Sequence, residues 1–232
     1  MIVRRRDGRP LVIGHRGAAA VAPENTIEAL AAGVEAGADA VEFDVGVGLL
    51  LAHDRHRATG LHLDDALAFL RERAIGVQID MKVRGIEREV IERVRAHGLE
   101  QRTLLSSNSS AAVRLVAAEA PELQRGIGYP EDRLGVGKKA WASPVVSAAA
   151  ATARQAMRVR APRLLARSRA NVLALHKGLV TPALVRVVHA RGGTVLAWTV
   201  NDPALVPRLA AAGVDAISSD DPAMVLAELA AG

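Results

Sequence analysis

The chain has 232 residues, half of them apolar, a formal charge of +5 and no cysteine. That length suits one large domain, here residues 1–232, and with 2% aromatics its core must be built from Ala, Val, Leu and Ile. Missing cysteines exclude disulfides and thiolate metal sites. The scattered arginines without stacking aromatics speak against nucleic acid, so the basic balance points to small anionic substrates.

Taken in order, Arg4-Arg5-Arg6 reads as a solvated tail, and Leu11-Val12-Ile13 as a short buried parallel strand bounded by Pro10 and Gly14. Thr26 caps a helix to about Glu35, and Ala40 to Val45 is a second strand. Leu49-Leu50-Leu51 is a brief extended piece ending in His53-Asp54. A helix at Asp64 to Arg73 precedes a strand at Ile75 to Met81. A charged amphipathic helix at Gly85 to His97 precedes a strand at Arg102 to Ser106. Ser109 to Glu119 is helical and Glu122 to Ile127 extended, while Tyr129 to Thr152 reads as a long loop with short helices. After a helix at Ala153 to Arg167, strands at Asn171 to Leu175, Thr194 to Val200 and Asp215 to Ile217 alternate with helices at Thr181 to Arg191, Pro203 to Ala212 and Pro222 to Ala230.

Eight strands, nearly all followed by helices, imply parallel strands joined by right-handed crossovers. Ala36-Gly37-Ala38-Asp39-Ala40-Val41 is echoed by Ala212-Gly213-Val214-Asp215-Ala216-Ile217, so one αβ unit is reused. No Gly-rich dinucleotide fingerprint is present, which favours a TIM (β/α)8 barrel over an open doubly wound sheet. The chain start lacks an apolar signal region and no run is long enough to span a bilayer. The expectation is a soluble cytoplasmic protein without stable membrane insertion.

Chemistry-bearing residues fall at strand ends. Residues two apart on a strand share a face, so Glu42 and Asp44 point one way, as do Asp80 and Lys82. In such a barrel active groups gather at the C-terminal strand ends, where His15 also falls. Three carboxylates without cysteine suit a hard divalent cation, Mg²⁺ or Ca²⁺. Arg16 and Lys82 can hold phosphate oxygens, and His15 and His53 can carry protons. Trp198 either fills the barrel or walls the pocket. Glu24 and Asn25 brace the first loop, and His56, His62, His97, His176 and His189 read as surface residues.

The chain resembles the glycerophosphodiester phosphodiesterase family. The likeness rests on His15-Arg16-Gly17, Pro23-Glu24-Asn25-Thr26, Glu42-Phe43-Asp44, His53-Asp54, Asp80-Met81-Lys82, Trp198-Thr199-Val200-Asn201-Asp202 and Gly213-Val214-Asp215-Ala216-Ile217. It implies that Glu42, Asp44 and Asp80 bind the cation, that His15 and His53 are the acid/base pair, and that Arg16 and Lys82 contact phosphate. The implied reaction hydrolyses a small-molecule phosphodiester to glycerol 3-phosphate and an alcohol, with a cyclic phosphate as a possible intermediate. The chain departs from the family in having Asp80 where Glu is usual and in lacking the Thr-x-Asp-Gly turn before His53. It also lacks most of the inserted region after the His-Asp pair, and it ends its last strand Ser218-Ser219-Asp220 where a Thr-Asp pair is usual. Two alternatives stay open: a lysophospholipid phosphodiesterase with an uncovered mouth, and a non-catalytic phosphate-binding barrel. Oligomeric state is not specified by the sequence.

Overall fold

The computed structural model describes residues 3–53, 59–130 and 144–231. Eight parallel strands form a closed barrel in which each pairs with the next and the last returns to the first. They are β1 (Leu11–Gly14), β2 (Ala40–Val45), β3 (Gly76–Met81), β4 (Thr103–Ser107), β5 (Gln124–Tyr129), β6 (Val172–His176), β7 (Thr194–Trp198) and β8 (Ala216–Ser219). One helix follows each: α1 (Ile27–Glu35), α2 (Leu63–Arg71), α3 (Glu87–Ala96), α4 (Ser110–Glu119), α5 (Pro144–Ser168), α6 (Pro182–His189), α7 (Leu205–Ala212) and α8 (Pro222–Ala231). The expected (β/α)8 barrel is present.

Two apolar layers hold it. Outward-facing residues such as Val41, Phe43, Val77 and Ile79 on one side, and Leu173, Leu175, Val195 and Ile217 on the other, are buried under the helices. Inside the barrel, Leu11, Ile13, Ala40, Leu104, Val172, Leu196 and Ala216 form a compact plug of small and branched side chains. Each fully buried aliphatic side chain contributes about 1.5–3 kcal/mol relative to exposure, so a core almost free of aromatics is sufficient here.

The repeated Gly-x-Asp unit has a visible purpose. Asp39 Oδ2 accepts the N–H of Val12 at 2.8 Å, and Asp215 Oδ2 accepts the N–H of Val195 at 2.8 Å. Asn171 does the same for Arg125 N–H at 2.9 Å. In each case a side chain just before one strand satisfies a backbone donor at the start of the neighbouring strand. Arg9 holds Asp39 with two hydrogen bonds of 2.7 and 3.0 Å, and His189 Nε2 lies 2.7 Å from Asp215 Oδ2.

Four expectations change. The segment before α5 is not a loop up to Thr152, because α5 already begins at Pro144. Arg4 and Arg6 are exposed as expected of a solvated tail, but Arg5 is not simply solvated, and the preceding Val3 is fully buried in the plug with its N–H donating to Gln124 Oε1 at 2.8 Å. Arg5 Nη1 then reaches the carbonyls of Ala210 and Val214 at 3.1 and 3.0 Å, closing the N-terminal end of the barrel. Leu49 ends a 3₁₀ turn (Val47–Leu49), and only Leu50 and Leu51 make single β-bridges. Nor are the arginines evenly scattered, because residues 133–201 contain no Asp or Glu. Arg158, Arg163, Arg186 and Arg191 are therefore exposed on α5, on α6 and just beyond it without an acidic neighbour in that stretch. Asp54 lies outside the described residues.

Replacing Asp39 or Asp215 by Ala orphans a backbone N–H and a side-chain partner, Arg9 or His189. Each change should cost about 1–3 kcal/mol of stability. The midpoint of urea unfolding reports it, and a wild-type midpoint would contradict the role given to these carboxylates.

Candidate active site

Strand alternation decides what faces the barrel mouth. Ile13 points inward, so His15 does too. Glu42 and Asp44 on β2, Asp80 with Lys82 at the end of β3, and Ser106 on β4 share the same inner face. The β2–β3 register sets Asp44 directly beside Asp80. Ligand atoms of Glu42, Asp44 and Asp80 consequently lie within 4.8 Å of one another.

The Gly14-His15-Arg16-Gly17 turn is shaped to cap this cluster. Gly17 has φ +91°, and a Cβ there would stand 2.4 Å from the Ala29 carbonyl oxygen, so only glycine fits. Arg16 itself takes a left-handed φ of 51°, a position costing about 1–2 kcal/mol for a side-chain-bearing residue. The turn is offset by contacts to β2: Gly17 N–H donates to the Glu42 carbonyl at 2.9 Å, and Arg16 N–H to Glu42 Oε2 at 2.8 Å. Asn25 then clamps Asp44, accepting its N–H at 2.9 Å and donating to Oδ2 at 3.2 Å. Thr26 caps α1 through Ala29 N–H.

Two cations face the acids. Lys82 Nζ lies 2.8 Å from Asp44 Oδ1 and 2.5 Å from Asp80 Oδ2. Arg16 reaches three groups: Nε is 3.1 Å from Asp44 Oδ2, Nη1 is 2.5 Å from Glu24 Oε2, and Nη2 is 3.0 Å from His53 Nδ1. His53 Nδ1 is also 3.2 Å from Asp44 Oδ2, so it donates to the carboxylate or accepts from the guanidinium, one at a time. His15 Nδ1 lies 2.6 Å from Asp220 Oδ1, and Asn201 holds Asp220 by donating to Oδ2 and accepting its N–H at 3.0 Å. Asp80 is held from its other side by Ser106 Oγ at 2.7 Å, which accepts from Gln78 Nε2 at 3.1 Å.

The charges do not cancel evenly. Burial and then the neighbouring Asp44 push the Glu42 carboxyl up to about 7. Burial would also raise Asp44, but Lys82, the His53 hydrogen bond and Arg16 outweigh it and hold Asp44 far below the usual carboxylate range. Lys82 is desolvated, yet Asp80, Asp44 and Glu42 keep its ammonium firmly protonated. For His15, desolvation is overcome by Asp220 and Glu42, and the net shift is upward. Three hard oxygen donors around a site where one carboxylate still lacks a counter-charge fit a divalent cation. Asp44 Oδ1, which is buried against the Lys82 ammonium at 2.8 Å, is one of the oxygens that would hold it.

Of the residues singled out from sequence, His15, Arg16, Glu42, Asp44, His53, Asp80 and Lys82 converge at this mouth. Trp198 stands apart on β7, its ring edge-on to His176 with centroids 5.8 Å apart. His176, which follows an expected strand and could from sequence face the same mouth, lies on the inner face of β6 rather than on the plain surface. Sequence reading did not assign Asp220, Asn201 or Ser106. Each lies on the inner face of its strand or just beyond a strand end, a parity that marks them once the strand register is known.

The structure is thus a (β/α)8 barrel with acids, imidazoles and cations gathered at the C-terminal end of its strands. The profile of the glycerophosphoryl diester phosphodiesterase family matches residues 15–48 and 61–224. The chain belongs to that family, whose members hydrolyse phosphoric diesters. A glycerophosphodiester phosphodiesterase of Arabidopsis thaliana is 29% identical over 244 aligned positions, covering 93% of this chain and 72% of the relative. Another, from Caldanaerobacter subterraneus, is 26% identical, covering 92% and 95%. Among solved structures, an Oleispira antarctica phosphodiesterase in complex with the product sn-glycerol 3-phosphate superposes with a TM-score of 0.72 at 23% identity, covering 96% and 97%. A Parabacteroides distasonis glycerophosphodiester phosphodiesterase gives 0.75 at 20% identity, covering 96% and 98%. At such identities the structural likeness speaks for the fold.

The raised Glu42 carboxyl has a consequence for metal-free stability. A carboxyl whose folded pKa exceeds its unfolded value stabilises the fold below the unfolded pKa, and that contribution is lost as pH climbs through about 7. Glu42→Gln should therefore raise the melting temperature of metal-free protein at pH 8 by several degrees, the shift amounting to about 3 kcal/mol at most. The same variant should lose any stabilisation by added Mg²⁺ or Ca²⁺. A variant that melts below wild type in chelator at pH 8 would contradict this charge balance.

Proposed function

We propose that the protein hydrolyses glycerophosphodiesters to glycerol 3-phosphate and an alcohol, using a divalent cation held by Glu42, Asp44 and Asp80. What carries the reading is the convergence of three carboxylates, two imidazoles and two cationic side chains at one barrel end, in a member of this family. The cation, Mg²⁺ or Ca²⁺, supplies Lewis-acid polarisation of the phosphoryl group.

The protein's own groups do the rest. Arg16 and Lys82 face the phosphate and neutralise the charge gathered on its non-bridging oxygens. His15 commits Nδ1 to Asp220, leaving Nε2 for the substrate. Its raised proton affinity suits it to protonate the departing alkoxide. His53 takes the proton from the attacking oxygen, which is the neighbouring glycerol hydroxyl on the route through a cyclic phosphate, or water. Asp220 and Asn201 orient His15, while Ser106 and Gln78 orient Asp80, so both act through another residue rather than on the substrate. Trp198 walls the far side of the mouth. The partner is a small molecule.

A second reading has one observation in its favour. Val21 after β1 and Val47 after β2 are 70% and 67% exposed, on the side of the barrel that carries the site. Those apolar tips suit a lysophospholipid chain better than a headgroup ester. Under this reading the hydrolysis rate jumps above the micelle concentration of the lipid; on water-soluble diesters alone it does not.

Release of glycerol 3-phosphate from glycerophosphoethanolamine should require Mg²⁺ or Ca²⁺ and stop in excess chelator. Undiminished release in chelator would remove the cation from the reaction. His15→Ala should lower kcat by about 10²–10⁴-fold with KM near that of wild type. Unchanged turnover would take His15 out of the mechanism.

A further inference from the structure

A cavity of about 380 Å³ opens beside Asp80 and Lys82, between the ends of β3 and β4. Asp80, its charge met by Lys82, and Arg84, Ser107, Asn108 and Ser109 supply its polar walls. Two of these groups are unused by the fold. Among the described residues Arg84, which is exposed, forms no ion pair, and the exposed Asn108 amide makes no hydrogen bond. Asn108 leans inward because β5 offers no side chain opposite it: a Cβ on Gly128 would stand 2.0 Å from Asn108 Oδ1. The fold leaves room on β5 for an amide that makes no hydrogen bond among the described residues.

Among the described residues the cavity also lacks what a quaternary ammonium would need. Such cations are recognised over aromatic faces, and the chain has two Trp, two Phe and one Tyr. Phe43 is buried on the outer side of β2, and Phe69 lies 3.4 Å beneath the Arg73 guanidinium. Tyr129 and Trp198 sit on β5 and β7, and neither is among the cavity's walls. Lys82 is paired with Asp44 and Asp80, so Arg84 is the wall cation without an ion pair among the described residues, and it stands where choline would bring another positive charge.

We infer that this cavity receives the variable alcohol of the diester and that Arg84 and Asn108 select alcohols bearing negative charge or several hydroxyls over choline. The inference rests on the phosphodiesterase reading and names its substrate class. Arg84 and Asn108 bind the alcohol and take no part in bond breaking. Their effect therefore falls on relative kcat/KM between substrates rather than on turnover as such.

The test compares three diesters with the metal-loaded enzyme: glycerophosphocholine, glycerophosphoglycerol, and a glycerophosphoinositol whose ring carries a second phosphate. The expected order of kcat/KM is inositol phosphate, then glycerol, then choline. Arg84→Gln should cut the preference for the anionic alcohol by about five-fold, the worth of one exposed charge contact in water. Arg84→Glu should cut it further, raising kcat/KM for the choline ester relative to the anionic one. Asn108→Leu should lower kcat/KM for both hydroxyl-rich substrates relative to the choline ester. Choline preferred in the wild type, or an order unmoved by Arg84→Glu, overturns the inference and leaves the phosphodiesterase reading standing. Hydrolysis of none of the three overturns both.

Discussion

Three carboxylates are forced together at one end of a low-dielectric barrel, and two cationic side chains only partly offset them. The strand register causes this: Asp44 and Asp80 are lateral neighbours, and Glu42 lies one inward-facing step below Asp44. Mutual repulsion at such distances cannot be left unopposed in a buried site. Lys82 answers Asp44 and Asp80, Arg16 answers Asp44, and Glu42 is left holding its proton up to about 7. That residual imbalance is what the proposed divalent cation would relieve, and the left-handed turn at Arg16 is held because it brings a backbone N–H onto Glu42.

Around this centre the groups proposed to act are each oriented by a second. Asp220 sets the His15 tautomer, and Asn201 sets Asp220. Ser106 fixes one oxygen of Asp80 while Lys82 fixes the other. The aspartate at position 80, a methylene shorter than the glutamate usual in the family, is thus held from both sides. Such orientation by neighbours lets a site built on strand ends keep its geometry while the loops above it vary.

Much of the fold was legible in the sequence because short apolar runs bounded by Gly and Pro, alternating with helices, admit few topologies. The repeated Gly-x-Asp unit was visible as well, though its purpose, tying neighbouring strands together, appears only with the register. α5 was misread over its first turns because its Ala- and Arg-rich sequence shows no one-sided apolar stripe to announce a helix. Arg5 looked solvated because only tertiary structure reveals the carbonyls of Ala210 and Val214 waiting for it. In the site, the residues within compact motifs could be read directly. Asp220 could not, because it meets His15 from 205 positions away and only barrel closure between β1 and β8 brings the two together.

The central claim is that Glu42, Asp44 and Asp80 form one cation site. Electron paramagnetic resonance with Mn²⁺ titrated into the metal-free protein measures it directly. The account predicts one tightly bound Mn²⁺ per chain in the wild type, lost in Asp44→Asn with the fold preserved by circular dichroism. Equal binding by wild type and Asp44→Asn, or no binding by folded wild-type protein, would contradict it.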